Sequence, residues 1–539
     1  MKYPSIKTGR RDVLLGTAAI AAGSMTIPWL GSGAWAATPK RGGTLKMVVF
    51  PEPSSLLAIG TTGGGERIVS AKVTEGLFTY DFDLNPLPQL ATAWSVSPDG
   101  REYRFELRKN VRWHDGKDFT SADVAYSILL VKEIHPRGRS TFANVTEVRT
   151  PDPHTAIIVL SQPAPYLLTA LAASETPIVP RHVFEGTDPR LNPANQAPIG
   201  TGPYRFKTWV KGSHVLYERN PDYWDAPRPY LDQLILRFIP DAAARAAALE
   251  NSEVDLGGGT IVALSDMDRV KALPNISTTT EGNNYSPQQV QLEFNLDNKY
   301  FADLRVRQAI AHVMDRKLIT DTIYYGYAIP APSPISPLVT RFYADDVEKY
   351  PLDLARAERL LDEAGYKRAS NGRRFSVFLD YNPFGPERLQ LAYYVKQALG
   401  KIGIDVNIRS QDFATFVKRV YTDRDFDFEI NGLSNIVDPT VGVQRVYWSK
   451  NIKKGVPFSN GSGYSNPEVD RLLEAAAIEP DQNKRVALFR DFQHIVCRDV
   501  PLINLVTKLT VTFFAKKVHD HTLTGDGLEA NLSGVYIDS

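Results

Sequence analysis

From Thr44 the chain reads TLKMVVF, an apolar and β-branched run that predicts a short strand opening onto PEPSS and the glycine triplet 63–65. Further on, REYRFELR alternates Tyr103, Phe105 and Leu107 with Arg104, Glu106 and Arg108, the period-two pattern of a half-buried strand. Thr120, followed three residues later by Asp123, forms a capping-box signature ahead of Val124, Ile128 and Leu129. TAIIVLS at 155–161 predicts another strand, and two aromatic-rich strands flank Gly212 and Ser213 before a third at 233–239. DAAARAAALENSEVDL (241–256) is helix-forming by composition. Asp303 caps a helix carrying Val306, Ile310 and Val313. LARAERLLDEAGY sets Leu354, Ala357, Leu361 and Ala364 on one face and stops at Gly365.

Residues 388–430 decide the fold class. A helical stretch through Leu391, Val395, Leu399 and Ile402 meets the alternating strand Ile404, Val406, Ile408. A second helix around 413–421 follows, then the alternating strand Phe426, Phe428, Ile430. Helices and strands thus alternate at α/β spacing. Ser465 with Glu468 makes a further capping pair for PEVDRLLEAAA, and Asp481 caps a helix that carries Cys497. YSPQQVQLEFN (285–295) reads equally as a crossing strand or an ordinary core strand.

Arg10 and Arg11 stand ahead of an uncharged stretch at 13–30 that ends at the small-residue triplet Ala34-Trp35-Ala36. This is the layout of an export signal, residues 1–36, cleaved after Ala36, and the paired arginines in GRRDVLLG favour the twin-arginine route. Gly16, Gly23, Ser24 and Pro28 interrupt the run, which falls short of the roughly 20 residues a membrane span needs. The only cysteine, Cys497, is far from the cleavage site, so no lipid anchor is expected there and no intramolecular disulfide can form. A soluble periplasmic protein is expected. Cys497 itself fits a small buried hydrophobe.

The remaining length of about 500 residues exceeds the roughly 250 to 300 at which single cores stop growing, so two or more lobes are expected. Lys and Arg number 62 against 61 Asp and Glu, and the signal takes away more basic residues than acidic ones. That balance argues against nucleic acid as partner. G-x-x-x-x-G-K, G-x-S-x-G, H-E-x-x-H and C-x-x-C do not occur. His519 and His521 share a strand face without a visible third ligand. DFDLNP at Asp81 starts like a calcium loop, but Pro86 and Thr92 occupy positions that need glycine and glutamate. No catalytic residue, metal site or cofactor is assigned.

Several long sections, in order, carry a resemblance: GLFTYDFDLNPLPQLATAWSVSPDGREYRFELRKNVRWHDGKDFTSADVAYSI, GTGPYRFKTWVKGSHVLYERNPDYW, EFNLDNKYFADLRVRQAIAHVMDR, KIGIDVNI, DFDFEINGL and GYSNPEVDRLL. The chain resembles family 5 solute-binding proteins of ABC importers, which include periplasmic oligopeptide-, dipeptide- and nickel-binding proteins. The resemblance implies an α/β fold of the periplasmic binding protein type II kind, two main lobes with a hinge plus an additional inserted domain. It places one lobe at 37–73, 200–281 and 508–539, the inserted domain at 74–199 and the other lobe at 282–507. It further implies a monomer that closes on its solute and presents it to a permease in the inner membrane. GTGPY (200–204) is expected to serve as a structural hinge element.

In peptide-binding members, a loop after the strand matching DFDFEINGL supplies an aspartate for the peptide's amino terminus. Here the loop reads Ser434-Asn435-Ile436-Val437-Asp438-Pro439, with Asn435 at the acidic position. An amide accepts a hydrogen bond from an ammonium but does not compensate its charge. Asp438 or Glu52 is the expected replacement. Ser54, near the cleft mouth by the same analogy, and Arg445 with Trp448 complete the candidate ligand set, since arginine suits carboxylates and aromatics suit side chains or sugar faces. The expected solute is a peptide or peptide-like molecule. An opine, an oligosaccharide or a nickel complex is the alternative, and a twin-arginine-exported enzyme the remote one.

Overall fold

The computed structural model describes residues 39–538 apart from 260, 283, 284, 384 and 437. The expected export signal and its cleavage site lie outside the described residues.

Alternation in the sequence becomes sheet structure in three places. A seven-stranded sheet runs Ile276–Thr279, Thr512–Ala515, Leu256–Gly257, Thr44–Val49, Gln233–Phe238, His214–Arg219, Tyr204–Val210 from edge to edge. Thr44–Val49 pairs parallel with Gln233–Phe238, Met47 opposite Leu236; Leu45, Met47 and Val49 of the first and Leu234, Leu236 and Phe238 of the second bury against one core. A six-stranded sheet runs Ala328–Pro330, Leu502–Lys508, Gln288–Phe294, Phe428–Ser434, Phe375–Tyr381, Ile404–Arg409. The helix Pro386–Lys401 covers one face of it with Leu391, Val395 and Leu399. A separate four-stranded antiparallel sheet orders Ala91–Val96, Glu102–Leu107, Thr155–Leu160 and Val145–Asp152. Glu102–Leu107 alternates exposed and buried positions as expected, and Thr120 and Asp123 close the capping box of Ser121–Ile134.

The chain passes from the seven-stranded to the six-stranded sheet between Thr279 and Gln288 and returns between Lys508 and Thr512. These are the two crossings of a type II periplasmic binding protein. YSPQQVQLEFN divides accordingly: Gln288–Phe294 is a central core strand, and only the residues before it belong to the crossing.

Three local expectations need correction. The helix Pro467–Ile478 is capped by Asn466, whose side chain accepts from the Glu468 and Val469 N–H groups, so Ser465 stands one residue too early. Pro467 at the first turn fixes that register. The helix Leu354–Glu363 buries only Ala357 and Leu361, while Leu354 is 40% exposed, because it lies on the surface of its lobe. The strand expected at 426–430 is Phe428–Ser434; Phe426 turns away to pack with Phe416, Val420 and Tyr421.

GTGPY is scaffold. Gly200 and Gly202 lie against the Val73 carbonyl so closely that a Cβ at Gly202 would come within 2.6 Å of its oxygen. His114 of the WHDG turn clamps the same segment, with Nε2 3.0 Å from the Gly202 carbonyl. His519 pairs with Asp538 and His521 packs on Phe514.

Candidate ligand cleft

A cavity of about 290 Å³ opens where the two crossings leave the sheets. Phe50 and Arg67 form its wall beside the seven-stranded sheet, Tyr285 and Ser286 come from the first crossing, Tyr324 and Ser434 from the six-stranded side, and Asp526 from the C-terminal segment. Arg67 reaches it because the glycines at 64 and 65 start the short helix Gly64–Ser70 against the loop after Thr44–Val49. A Cβ at Gly65 would come within 2.6 Å of the Pro51 carbonyl oxygen.

Four polar atoms of this wall are shut off from water and hydrogen-bond to nothing among the described residues: Arg67 Nε, Ser286 Oγ, Tyr324 Oη and Asp526 Oδ1. Leaving such an atom unsatisfied costs about 1–3 kcal/mol, and folded proteins keep few of them. Four of them stand around this one cavity. Burial pushes the Tyr324 hydroxyl up to about 12, which keeps it a neutral donor, and the Asp526 carboxyl up to about 7.

A band of alternating charge flanks the cavity. Arg67 lies 3.3 Å from Glu175 and 2.7 Å from Glu529. Burial works against its charge, but the two carboxylates outweigh that and raise its pKa. Arg137 donates to Glu175 at 2.8 Å. Arg445 adds a third guanidinium to this neighbourhood. Its side chain has no hydrogen bond or ion pair among the described residues, its Nε is buried without a partner, and burial together with the like charge of Arg137 pushes it down to about 10. Three guanidiniums against Glu175 and Glu529 leave an excess positive charge, which suits an anionic group on the solute.

Of the residues singled out from sequence, Ser434 lines the cavity and Arg445 keeps its donors uncommitted. The others are engaged in scaffold. Glu52 accepts from Trp209 Nε1 at 3.1 Å and from the Gly212 N–H at 3.0 Å, pinning the hairpin turn. Ser54 donates through its N–H and hydroxyl to Glu66 at 2.8 and 2.9 Å. Asn435 Oδ1 accepts from the Ser336 N–H at 2.8 Å, and Ile436 packs into the core of the four-stranded domain. Asp438 makes a two-pronged ion pair with Arg485 at 2.7 and 2.8 Å, both side chains buried, and caps the turn at Thr440. Trp448 donates to Glu474 at 2.9 Å on the far side of that loop. Arg67, Ser286, Tyr324 and Asp526 were not foreseen. The glycine triplet before Arg67 was the one visible signal, since glycines that admit a close backbone approach often frame a site.

The model of the bacterial extracellular solute-binding proteins, family 5, matches residues 85–455. The chain belongs to this family. Protein XP55 of Streptomyces lividans is 30% identical over 501 residues, covering 89% of this chain and 84% of XP55. The oligopeptide-binding protein AppA of Bacillus subtilis is 28% identical over 482 residues, 86% of each chain. AppA in complex with a nonapeptide superposes with a TM-score of 0.78 at 26% identity, over 93% of this chain and 100% of AppA. AgaA from A. tumefacien R10 in complex with agropinic acid gives 0.75 at 27%, over 92% and 99%. In this solute-binding protein Ser434 lines the cavity between the crossings, while Asp438 anchors the same loop through Arg485.

Proposed function

We propose that this protein is the extracytoplasmic receptor of an ABC importer and that it captures a peptide or peptide-like solute bearing a carboxylate. The observation that carries this reading is the set of buried polar atoms around one cavity that have no partner among the described residues, with Arg445, whose side chain has no ion pair there, nearby. Tyr324, Ser286 and Ser434 would supply neutral hydrogen bonds to the solute's backbone or substituents, and Arg445 would hold its carboxylate in a forked contact. No bond is made or broken in this role. The lobes would comprise residues 37–73, 200–281 and 508–539 on one side and 282–507 on the other, with 74–199 as the added domain. They would close over the solute by bending the crossings, and the closed form would dock on an inner-membrane permease. Residues 1–36 would direct a monomer to the periplasm by the twin-arginine route.

A small non-peptide acid is the second reading, favoured by Asn435, which puts an amide where peptide-binding relatives are expected to carry a carboxylate, the loop's own Asp438 being held by Arg485. The same guanidiniums would serve it. Calorimetry with a set of tripeptides, the same peptides amidated at their carboxyl ends, and free opine acids separates the two. Tripeptides binding at least about tenfold more tightly than their amides support the peptide reading and the Arg445 contact together. Binding of opine acids alone replaces it with the second.

A further inference from the structure

Asp526 forms part of the wall of two cavities. One is the cleft described above; the other, of about 310 Å³, lies behind it between the four-stranded domain, the loop at Trp224 and the C-terminal segment. Its walls include Phe78, Leu87, Trp224, Leu523 and Thr524, and Glu529 borders both spaces as Asp526 does. A volume of 310 Å³ is on the order of ten waters, enough for a large side chain.

One oxygen of Asp526 is spent on the scaffold. Oδ2 accepts from the Tyr80 N–H at 3.2 Å and from the Thr79 hydroxyl. Oδ1 has no partner among the described residues, and neither has the Thr524 hydroxyl on the second cavity, although Asp526 is only 8% exposed. The nearby Lys72 does not fill the gap, because its ammonium donates to the Leu528 carbonyl at 2.7 Å and to that of Ala530. Burial also pushes Lys72 down to about 7, so it compensates Asp526 weakly. The other carboxylates that could receive a cationic solute group are committed: Glu52 to the hairpin turn, Asp438 to Arg485, Glu175 to two arginines and Glu529 to Arg67.

We propose that Asp526 receives the ammonium group of the solute, in place of the position occupied here by Asn435, and that the cavity behind it takes the side chain next to that ammonium. This rests on the peptide reading above. In a peptide the terminal ammonium and the first side chain leave the same carbon, so an ammonium on Asp526 sets that side chain at the junction of the two spaces. The apolar walls at Phe78, Leu87, Trp224 and Leu523 select an aromatic or branched first residue, and Thr524 is left to hydrogen-bond a polar tip.

The test is calorimetry on the purified protein with Phe-Ala-Ala, its N-acetylated form and Gly-Ala-Ala, for the wild type, Asp526→Asn and Leu523→Trp. Leu523 is 50% exposed, so the tryptophan narrows the second cavity without disturbing a core. The wild type is expected to prefer the free amine by about tenfold or more, because a charged hydrogen bond is lost on acetylation. Asp526→Asn is expected to bind both Phe peptides within twofold of each other, and Leu523→Trp to weaken Phe-Ala-Ala selectively over Gly-Ala-Ala. If Asp526→Asn does not fold, the Leu523→Trp selectivity decides alone, its absence overturning the proposal. A wild type indifferent to acetylation, or an Asp526→Asn variant that keeps the preference, overturns the assignment of Asp526 and leaves the peptide reading standing. A wild type that binds none of the three peptides overturns that reading and this proposal with it.

Discussion

Replacing Asp438 with alanine is expected to destabilise the protein and leave solute affinity nearly unchanged. Arg485 and Asp438 are each at most 2% exposed and meet through two hydrogen bonds of 2.7 and 2.8 Å. Removing one member of such a pair strands the other charge in the interior, at about 3–5 kcal/mol. Asp438 also caps Thr440, worth about 1 kcal/mol more. Together this is a large fraction of the roughly 5–15 kcal/mol that holds a typical protein folded. Arg485→Met breaks the same pair from the other end and should lower the urea midpoint comparably. The double variant Asp438→Leu/Arg485→Met should recover most of the loss, since neither charge then remains buried. Calorimetry well below the unfolding transition should give Kd values within about threefold of wild type for both single variants. Tenfold weaker binding in Asp438→Ala with an unshifted urea midpoint would refute this reasoning and return Asp438 to the solute.

Arg445→Ala should weaken binding of a carboxylate-bearing solute by about tenfold to a hundredfold while leaving its amide unaffected, read by calorimetry. Glu293 and Glu429 stand opposite each other on neighbouring strands, fully buried, their side chains without hydrogen-bond partners among the described residues. Burial raises both carboxyls, and in Glu429 the charge of Glu293 adds to it. A raised folded-state pKa gives stability that is complete below the ordinary carboxylate value near 4.5 and lost as pH climbs from there toward neutrality. Glu293→Gln should therefore raise the denaturation midpoint at pH 8, change it little at pH 4, and flatten the profile between. An undiminished slope in that variant would contradict the assignment. Gly202→Ala should lower the urea midpoint through collision with the Val73 carbonyl, and a midpoint equal to wild type would show that the segment can relax.

Much of the architecture was legible because period-two and helical patterns survive in a single sequence. The strand Glu102–Leu107, the capping box at Thr120 and the helix–strand alternation read over 388–430 are found, the last strand shifted to Phe428–Ser434. Where the pattern misled, a local residue competed: Asn466 took the cap from Ser465 because Pro467 fixes the first turn. The site was harder. Asp438 carries the side chain expected of an ammonium receptor, but its partner Arg485 is remote in sequence and only the fold brings them together. Asp526 lies close to the C-terminus in an unremarkable TGDGLE, and its importance comes from an oxygen without a partner, a property that exists only once the neighbours are in place. Arg445 was visible as a residue type, while its side chain's want of a hydrogen bond among the described residues was not.

The central claim is that the cleft holds an acidic solute reversibly and does not transform it. Native mass spectrometry of the protein purified from its own cells, followed by denaturation and identification of what is released, tests it most directly. The account predicts one or more small molecules bearing a free carboxylate, which rebind the emptied protein with a 1:1 stoichiometry and come off chemically unchanged. Release of a neutral or purely cationic molecule, or of a product that differs from the compound added back, would contradict it.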